Sequence, residues 1–313
     1  MQRTSHVLMV RPSVFRSNEE TAPSNHFQHR GDGSDAEVLE RALQEFDAFV
    51  ELLQSHGVDV WVVQADADAD VPDALFPNNW ISFHDDGRIA LYPMQAENRR
   101  RERREDVVMD LEHVRGFEIA EVLDFTEFEE HGRFLEGTGS LVLDRTHRKA
   151  YAALSPRTDR LALERFCEAF DFEGIAFHAL QPTPAGRLPI YHTNVMMGIG
   201  TDFVAVCLDC VDDPEERELL RESLAEDGRE IIALTEEQIA SFAGNLLEIE
   251  GGAGQALIVL SRRGFASLRS DQIEALQRHG TLVTPDLATI ESHGGGSARC
   301  MLAEIHLPLS VPE

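Results

Sequence analysis

The chain has 313 residues, 42% of them apolar, which is enough for a large core in one closed domain or two ordinary ones. Its net charge is −28, from 56 acidic and 28 basic residues, with Lys149 the single lysine. Such a field excludes nucleic acid and anionic membranes as partners, and no apolar run reaches the roughly 20 residues of a membrane span.

MQRTSHVLMVRP leads directly into a strand pattern at 6–12 without the layout of a secretory signal, so a cytoplasmic protein is expected. The acidity further suggests a high-salt or salt-tolerant cytoplasm. Four scattered cysteines (Cys167, Cys207, Cys210, Cys300) do not make a disulfide scaffold. Cys207 and Cys210 form a CxxC in a strand-like run, read as buried structural thiols rather than a zinc or redox site.

After the first strand, 13–35 is long for a connection, and loops of that size are often lids or binding loops. A helix over 36–56 follows, with a polar start at Ser34 and Asp35 and a stop at Gly57; Leu39, Leu43, Phe46, Phe49, Val50 and Leu53 recur at helical spacing. Then come a strand at 58–64 and an acidic loop at 65–74. From there the pattern is hairpin, helix, strand. The first hairpin is 80–84 and 88–94 around Asp85-Asp86-Gly87, with a helix over 99–115 and a strand at 117–123. The second is 140–144 and 149–155, with a helix at 160–170 and a strand at 174–180. The third is 194–200 and 203–209, with a helix at 214–226 opened by Pro214 and a strand at 229–234. The fourth is 245–250 and 256–261, with a helix from Asp271 and a strand at 281–285. The last strand, 300–307, completes a fifth unit with 6–12, the helix 36–56 and the strand 58–64. Joining the chain ends in one unit closes a ring and removes free sheet edges, so one domain over 1–313 is expected.

Asn79, Glu136, His192, Asn245 and Cys300 recur at intervals of about 55 residues, each at the entry to a hairpin. A radial repeat would deliver one such side chain per unit to one end of a common axis. A thiol, an imidazole, a carboxylate and amides then converge, a set suited to covalent catalysis. Cys300 follows His293-Gly-Gly-Gly-Ser-Ala-Arg, where glycines permit close backbone approach and Arg299 favours a thiolate. His192 is the proton-transfer partner at the right phase, with His293 as second candidate. Glu136, in FLEGTGS, could orient His192 or hold a substrate nitrogen. The run RRRERR at 99–104 reads mostly as helix-face ion pairs, from which one arginine could reach a substrate carboxylate; Arg157, in LSPRTD, is the better single candidate.

FPNNWISFH, LYPMQAENRRRERR, FLEGTGSLVLD, LSPRTD, YHTNVMMGIG, FAGNLLEI and GGGSARCMLAEI resemble the pentein, or guanidine-modifying, superfamily over nearly the whole chain. The resemblance is closest to the citrulline-utilisation hydrolase group, often labelled amidinotransferase, with arginine deiminase and arginine dihydrolase as relatives. It implies an α/β fold, a five-bladed α/β propeller of ββαβ units. It also implies Cys300 as nucleophile, His192 as general acid/base and Glu136 as the carboxylate binding the substrate's terminal nitrogens. Arg99 and Arg157 match arginines that hold an α-carboxylate. No metal or organic cofactor is implied, the partner is a small amino acid, and a homo-oligomer is compatible. Against arginine deiminase, carboxylates are replaced by Asn79 and Asn194. A guanidinium offers donors only and prefers carboxylates, whereas a neutral ureido group offers donors and an acceptor that an amide satisfies. The swaps favour citrulline, hydrolysed to ornithine, carbon dioxide and ammonia. Arginine dihydrolase, deiminase or amidinotransferase activity is the rival on the same site. A non-catalytic, macromolecule-binding propeller is the rival of another class, disfavoured by the intact Cys, His and Glu.

Overall fold

The computed structural model describes residues 1–29 and 33–310; Arg30–Asp32, within the predicted 13–35 loop, lie outside the described residues. Among the described residues the strands form five three-stranded sheets and one separate two-stranded hairpin. Every three-stranded sheet has the same plan: an antiparallel pair, then a helix, then a third strand parallel to the middle one. In the first, His6–Arg11 pairs antiparallel with Ala303–Glu304 and parallel with Asp59–Gln64, so both ends of the chain share one sheet, as expected. The second joins Ile81–Phe83, Arg88–Leu91 and Glu121–Asp124. The third joins Val142–Asp144, Lys149–Ala153 and Glu173–Phe177. The fourth joins Met197–Ile199, Phe203–Val206 and Glu230–Ala233. The fifth joins Leu247–Glu250, Ala256–Val259 and Thr281–Val283.

The helices form where periodicity and caps agree. Asp35–Ser55 begins on a reciprocal capping box between Ser34 and Glu37, and buries Val38, Ala42, Phe46, Phe49, Val50 and Leu53. Arg160–Phe170 and Pro214–Glu226 start on the Asp159 and Asp213 side chains, which accept the first free N–H groups. The apolar faces of Asp35–Ser55, the first sheet and the fifth sheet share one core with Cys300. No helix among the described residues is long and apolar enough to cross a membrane.

Two expectations are corrected. The helix over 99–115 is two pieces, Glu97–Arg100 and Glu105–His113, separated by Arg104 in extended backbone (φ −129°, ψ 111°). Around the break, Arg100, Arg103 and Arg104 donate to the backbone carbonyls of Met94, Tyr92 and Gln64. The strand expected at 174–180 ends at Phe177, and the chain then makes an unforeseen hairpin, Leu180–Thr183 with Gly186–Pro189. Pro182, Pro184 and Pro189 hid it from the alternation pattern. Cys207 and Cys210 are both buried and free, with sulfurs 3.2 Å apart.

Candidate active site

The residues that share a phase sit on tight turns just ahead of the strands. Asn79 ends Pro77–Asn79, Glu136 precedes Gly137–Ser140, His192 precedes Thr193–Val195, and Cys300 lies within Ala298–Met301. These turns pack on one another: Gly137–Ser140 touches both Pro77–Asn79 and Thr193–Val195, and Pro77–Asn79 touches Ala298–Met301. Their convergence makes a small cavity lined by Asn79, Arg99, Arg157, His192, Cys300 and the glycines 294–296. Cys300 and His192 therefore face the same space.

Cys300 is 2% exposed. Its sulfur lies 3.3 Å from Asn245 Nδ2 and 3.6 Å from Asn194 Nδ2. His192 Nε2 is 2.8 Å from Glu136 Oε2. Nδ1 has no hydrogen-bond partner among the described residues and lies against Gly139. Burial pushes His192 down to about 4, against the upward pull of Glu136. The resting ring is accordingly neutral, with Nε2–H donating to Glu136. Burial alone would raise Glu136, but Arg157, the His192 hydrogen bond and Arg99 outweigh it and hold the carboxylate well below its usual range. Arg157 Nη1 and Arg99 Nη1 lie 3.5 and 3.7 Å from Glu136 Oε2, while the backbone N–H of Gln95 donates to Oε1 at 3.0 Å.

Arg99 and Arg157 have other partners in this structure. Arg99 clasps Glu102 through two 2.9 Å hydrogen bonds and donates to Asn79 Oδ1 at 2.9 Å. It thereby orients the Asn79 amide. Arg157 donates to Ser24 Oγ and to the Thr21 carbonyl, both at 2.9 Å. Those acceptors belong to the long N-terminal loop, which covers the cavity. Asn25 Nδ2 from the same loop reaches the carbonyls of Gly294 and Gly295 at 3.2 and 3.4 Å. Under this cover the free volume is about 10 Å³, room on the order of one water.

The second candidate base, His293, lies outside this cavity. Its Nδ1 is 3.2 Å from the Thr289 carbonyl of its own helical turn, and its ring faces Phe15. The glycines that line the cavity are also closely packed: a Cβ on Gly294 would meet the Phe76 ring at 2.9 Å, and one on Gly295 (φ +64°) the Asn25 amide at 2.5 Å.

Asn25, Asp73, Phe76 and Tyr191 also line the cavity and were not singled out by the sequence. Asp73 is buried beside Arg99; its Oδ2 accepts from Asn18 Nδ2 at 2.7 Å, while Oδ1 is buried without a partner. It stands at the end of the acidic stretch 65–74 and reads there as one more solvated charge. Its only distinguishing mark is the apolar Ala74-Leu75-Phe76-Pro77 directly after it.

Gly139 shows how tightly the turns close. A Cβ there would lie 2.5 Å from Asn79 Nδ2 and 2.7 Å from His192 Nδ1. Gly139→Ala is therefore expected to cost about 1–3 kcal/mol of stability. Urea denaturation measures this, and an unchanged midpoint and slope would show that the turn has slack.

Comparison with known proteins came out as follows. Residues 11–307 match the family described as N,N dimethylarginine dimethylhydrolase, eukaryotic. No curated protein matches the chain. The N-terminal domain of ArgZ, an arginine dihydrolase from the ornithine–ammonia cycle in cyanobacteria, was solved as a cysteine-to-serine mutant bound to substrate. It matches with TM-score 0.72 at 15% identity, over 97% of this chain and 99% of that one. AgrE, as a cysteine-to-alanine mutant with L-arginine, matches with TM-score 0.73 at 16% identity; 97% of this chain spans 40% of that one. DDAH from Pseudomonas aeruginosa, a cysteine-to-serine mutant complexed with citrulline, matches with TM-score 0.64 at 16% identity, over 97% and 100% of the two chains. At such identities these likenesses establish a shared α/β fold of small mixed sheets.

Proposed function

This chain belongs to the N,N-dimethylarginine dimethylhydrolase family of the pentein superfamily, and from that premise we propose that it is a cysteine-dependent hydrolase of C–N bonds in a ureido or guanidino amino acid, with L-citrulline as substrate. The observation that carries the reading is one cavity lined by both Cys300 and His192, with Glu136 hydrogen-bonded to the His192 ring. Relatives with the same fold were captured with substrate, L-arginine or citrulline after a cysteine had been replaced.

His192 takes the Cys300 thiol proton, and the thiolate attacks the ureido carbon, forming the C–S bond. His192 protonates the departing nitrogen as the C–N bond breaks. A carbamoyl thioester remains. Water, giving its proton to the now neutral His192, adds to the thioester and expels the thiolate. The carbamate so released breaks down to carbon dioxide and the second amine, so that citrulline and water give ornithine, carbon dioxide and ammonia. Glu136 keeps the ring oriented and stabilises the imidazolium each time His192 takes a proton, first from the thiol and later from water, the last proton returning to the sulfur. Asn79 and Asn194 present amides, not carboxylates, to the neutral ureido group. The unpaired Asp73 oxygen is the acceptor for the substrate's α-ammonium, and Arg157 meets its carboxylate once the N-terminal loop lifts away. The present free volume is far below that of an amino acid, so entry requires this opening.

The same reading extends to architecture. The five sheets are blades of one closed five-bladed α/β propeller over 1–313. Support comes from the pairing of both chain ends in the first sheet and from the core it shares with the fifth.

Substrate choice is tested at Asn79. Asn79→Asp keeps the acceptor for Arg99 and adds an anionic oxygen to the cavity. It is expected to lower kcat/KM for citrulline by about 10- to 100-fold and to move the citrulline-to-arginine ratio toward arginine. Parallel assays of ornithine release from the two amino acids check this. An unchanged ratio would remove Asn79 from the specificity argument.

A further inference from the structure

We propose that Asn245 acts on the sulfur rather than on the substrate: its side-chain amide is a fixed hydrogen-bond donor that stabilises the Cys300 thiolate. This rests on Cys300 being the nucleophile. The two ends of an amide are told apart by their partners. Asn245 Oδ1 lies 3.0 Å from the backbone N–H of Arg299, which can only donate. Nδ2 is thereby turned to the opposite side. There it lies 3.0 Å from the Asn194 carbonyl, 3.3 Å from Asn194 Oδ1 and 3.3 Å from Cys300 Sγ. A flipped amide would set oxygen against the Asn194 carbonyl and NH2 against the Arg299 N–H, two repulsive contacts. One Nδ2 hydrogen goes to the Asn194 carbonyl and the other is left on the sulfur side. Asn245 is 0% exposed, so it has no solvent to swing into.

The surroundings of the sulfur give this contact its weight. Among the described residues, its hydrogen-bond partners are the Asn245 and Asn194 amides alone. The Asn194 contact is longer, at 3.6 Å, and Asn194 Nδ2 also donates to the Thr138 carbonyl at 3.2 Å. His192 and Arg299 share the neighbourhood but direct their hydrogen bonds to Glu136, Leu302 and Glu304. Negative charge on the sulfur, at rest or when the thioester is cleaved, is therefore met first by the Asn245 N–H. A hydrogen bond to the charged form favours that form, and such bonds are stronger than neutral ones.

The test is the pH profile of Cys300 alkylation by iodoacetamide, followed by mass spectrometry of the Cys300 peptide. The thiolate displaces iodide, a C–S bond replacing the C–I bond, so no substrate is needed. The midpoint is read at iodoacetamide concentrations where the rate is first order in reagent, so that loop opening enters only as a constant factor. Asn245→Asp keeps the shape and the Arg299 acceptor but turns an anionic oxygen to the sulfur. Asn245→Ala removes both contacts. The expected midpoints rise in the order native, Asn245→Ala, Asn245→Asp, the last by about one pH unit or more, with alkylation at pH 7 slowed about 10-fold or more. A purely structural role predicts the reverse order of damage, with alanine worse than the isosteric aspartate. That order, or midpoints unchanged in both variants, would overturn the proposal. If the aspartate variant does not fold, a raised midpoint in the alanine variant supports the proposal and an unchanged one refutes it. Should the native protein hydrolyse neither citrulline nor arginine, the proposed reaction fails while the alkylation order still decides the role of Asn245.

Discussion

Cys300→Ser is expected to reduce citrulline turnover by at least about 10⁴-fold, with stability within about 1 kcal/mol of the native protein. The sulfur is buried, faces the cavity and is held between the Asn245 and Asn194 amides. A serine hydroxyl fills nearly the same space and can use the same donors. What it lacks is acidity: a hydroxyl gives up its proton far less readily than a thiol, so the attacking anion is scarce in the variant. The reaction is thus lost while the packing is kept. Ornithine release and urea denaturation on the same preparation separate these outcomes. Turnover within tenfold of native would exclude covalent catalysis at this sulfur.

Glu136→Gln should be the most damaging change that leaves the thiol in place. Glu136 is 0% exposed and sits between three groups: His192 at 2.8 Å, Arg157 at 3.5 Å and Arg99 at 3.7 Å. Glutamine keeps the shape and removes the charge. Buried arginines are then left short of a counter-charge, a change that costs about 3–5 kcal/mol when one partner of a buried pair is lost. The imidazolium formed during proton transfer loses its stabilising anion, and kcat is expected to fall by about 10²–10⁴-fold. The pH dependence identifies the cause. The Glu136 carboxyl is depressed in the folded protein and titrates near 4.3 when unfolded. Its contribution to stability is therefore fully present above roughly pH 4.3 and declines as pH falls through that value toward the folded one. The gap in unfolding free energy between native protein and Glu136→Gln should be widest at pH 7 and narrow below about pH 4. His192, depressed to about 4 when folded and near 6.5 when unfolded, adds acid sensitivity between those two values. Its share in the native protein makes stability fall from about pH 6.5 toward pH 4. A gap that stays constant from pH 7 to pH 3.5 would show that Glu136 acts by shape and not by charge.

The repeat was readable because each unit places a reactive residue just before a hairpin. Phase alone therefore picked out Asn79, Glu136, His192, Asn245 and Cys300, and all of them meet around one cavity or in direct contact with it. The sequence could not show what the side chains do there. Arg99 is by resemblance a carboxylate ligand; what no sequence pattern shows is that its guanidinium here bonds Glu102 and Asn79. Asp73 was hidden among acids that are solvated, since burial is a tertiary property. The cover over the site rests on contacts such as Ser24 to Arg157, far apart in the chain and invisible to any local pattern. His293 was the alternative base by its place beside the glycine run, but it lies within the helical turn Ala288–Gly294 with its ring facing Phe15.

The central claim is that this cavity cleaves a C–N bond of a ureido amino acid through Cys300. Incubating the purified protein with L-citrulline and with L-arginine, side by side, and quantifying ornithine, ammonia and citrulline tests it most directly. The account predicts ornithine and equimolar ammonia from citrulline, at a higher kcat/KM than from arginine, and none from the Cys300→Ser variant. Ornithine from neither amino acid, or equal release by the variant, would contradict it.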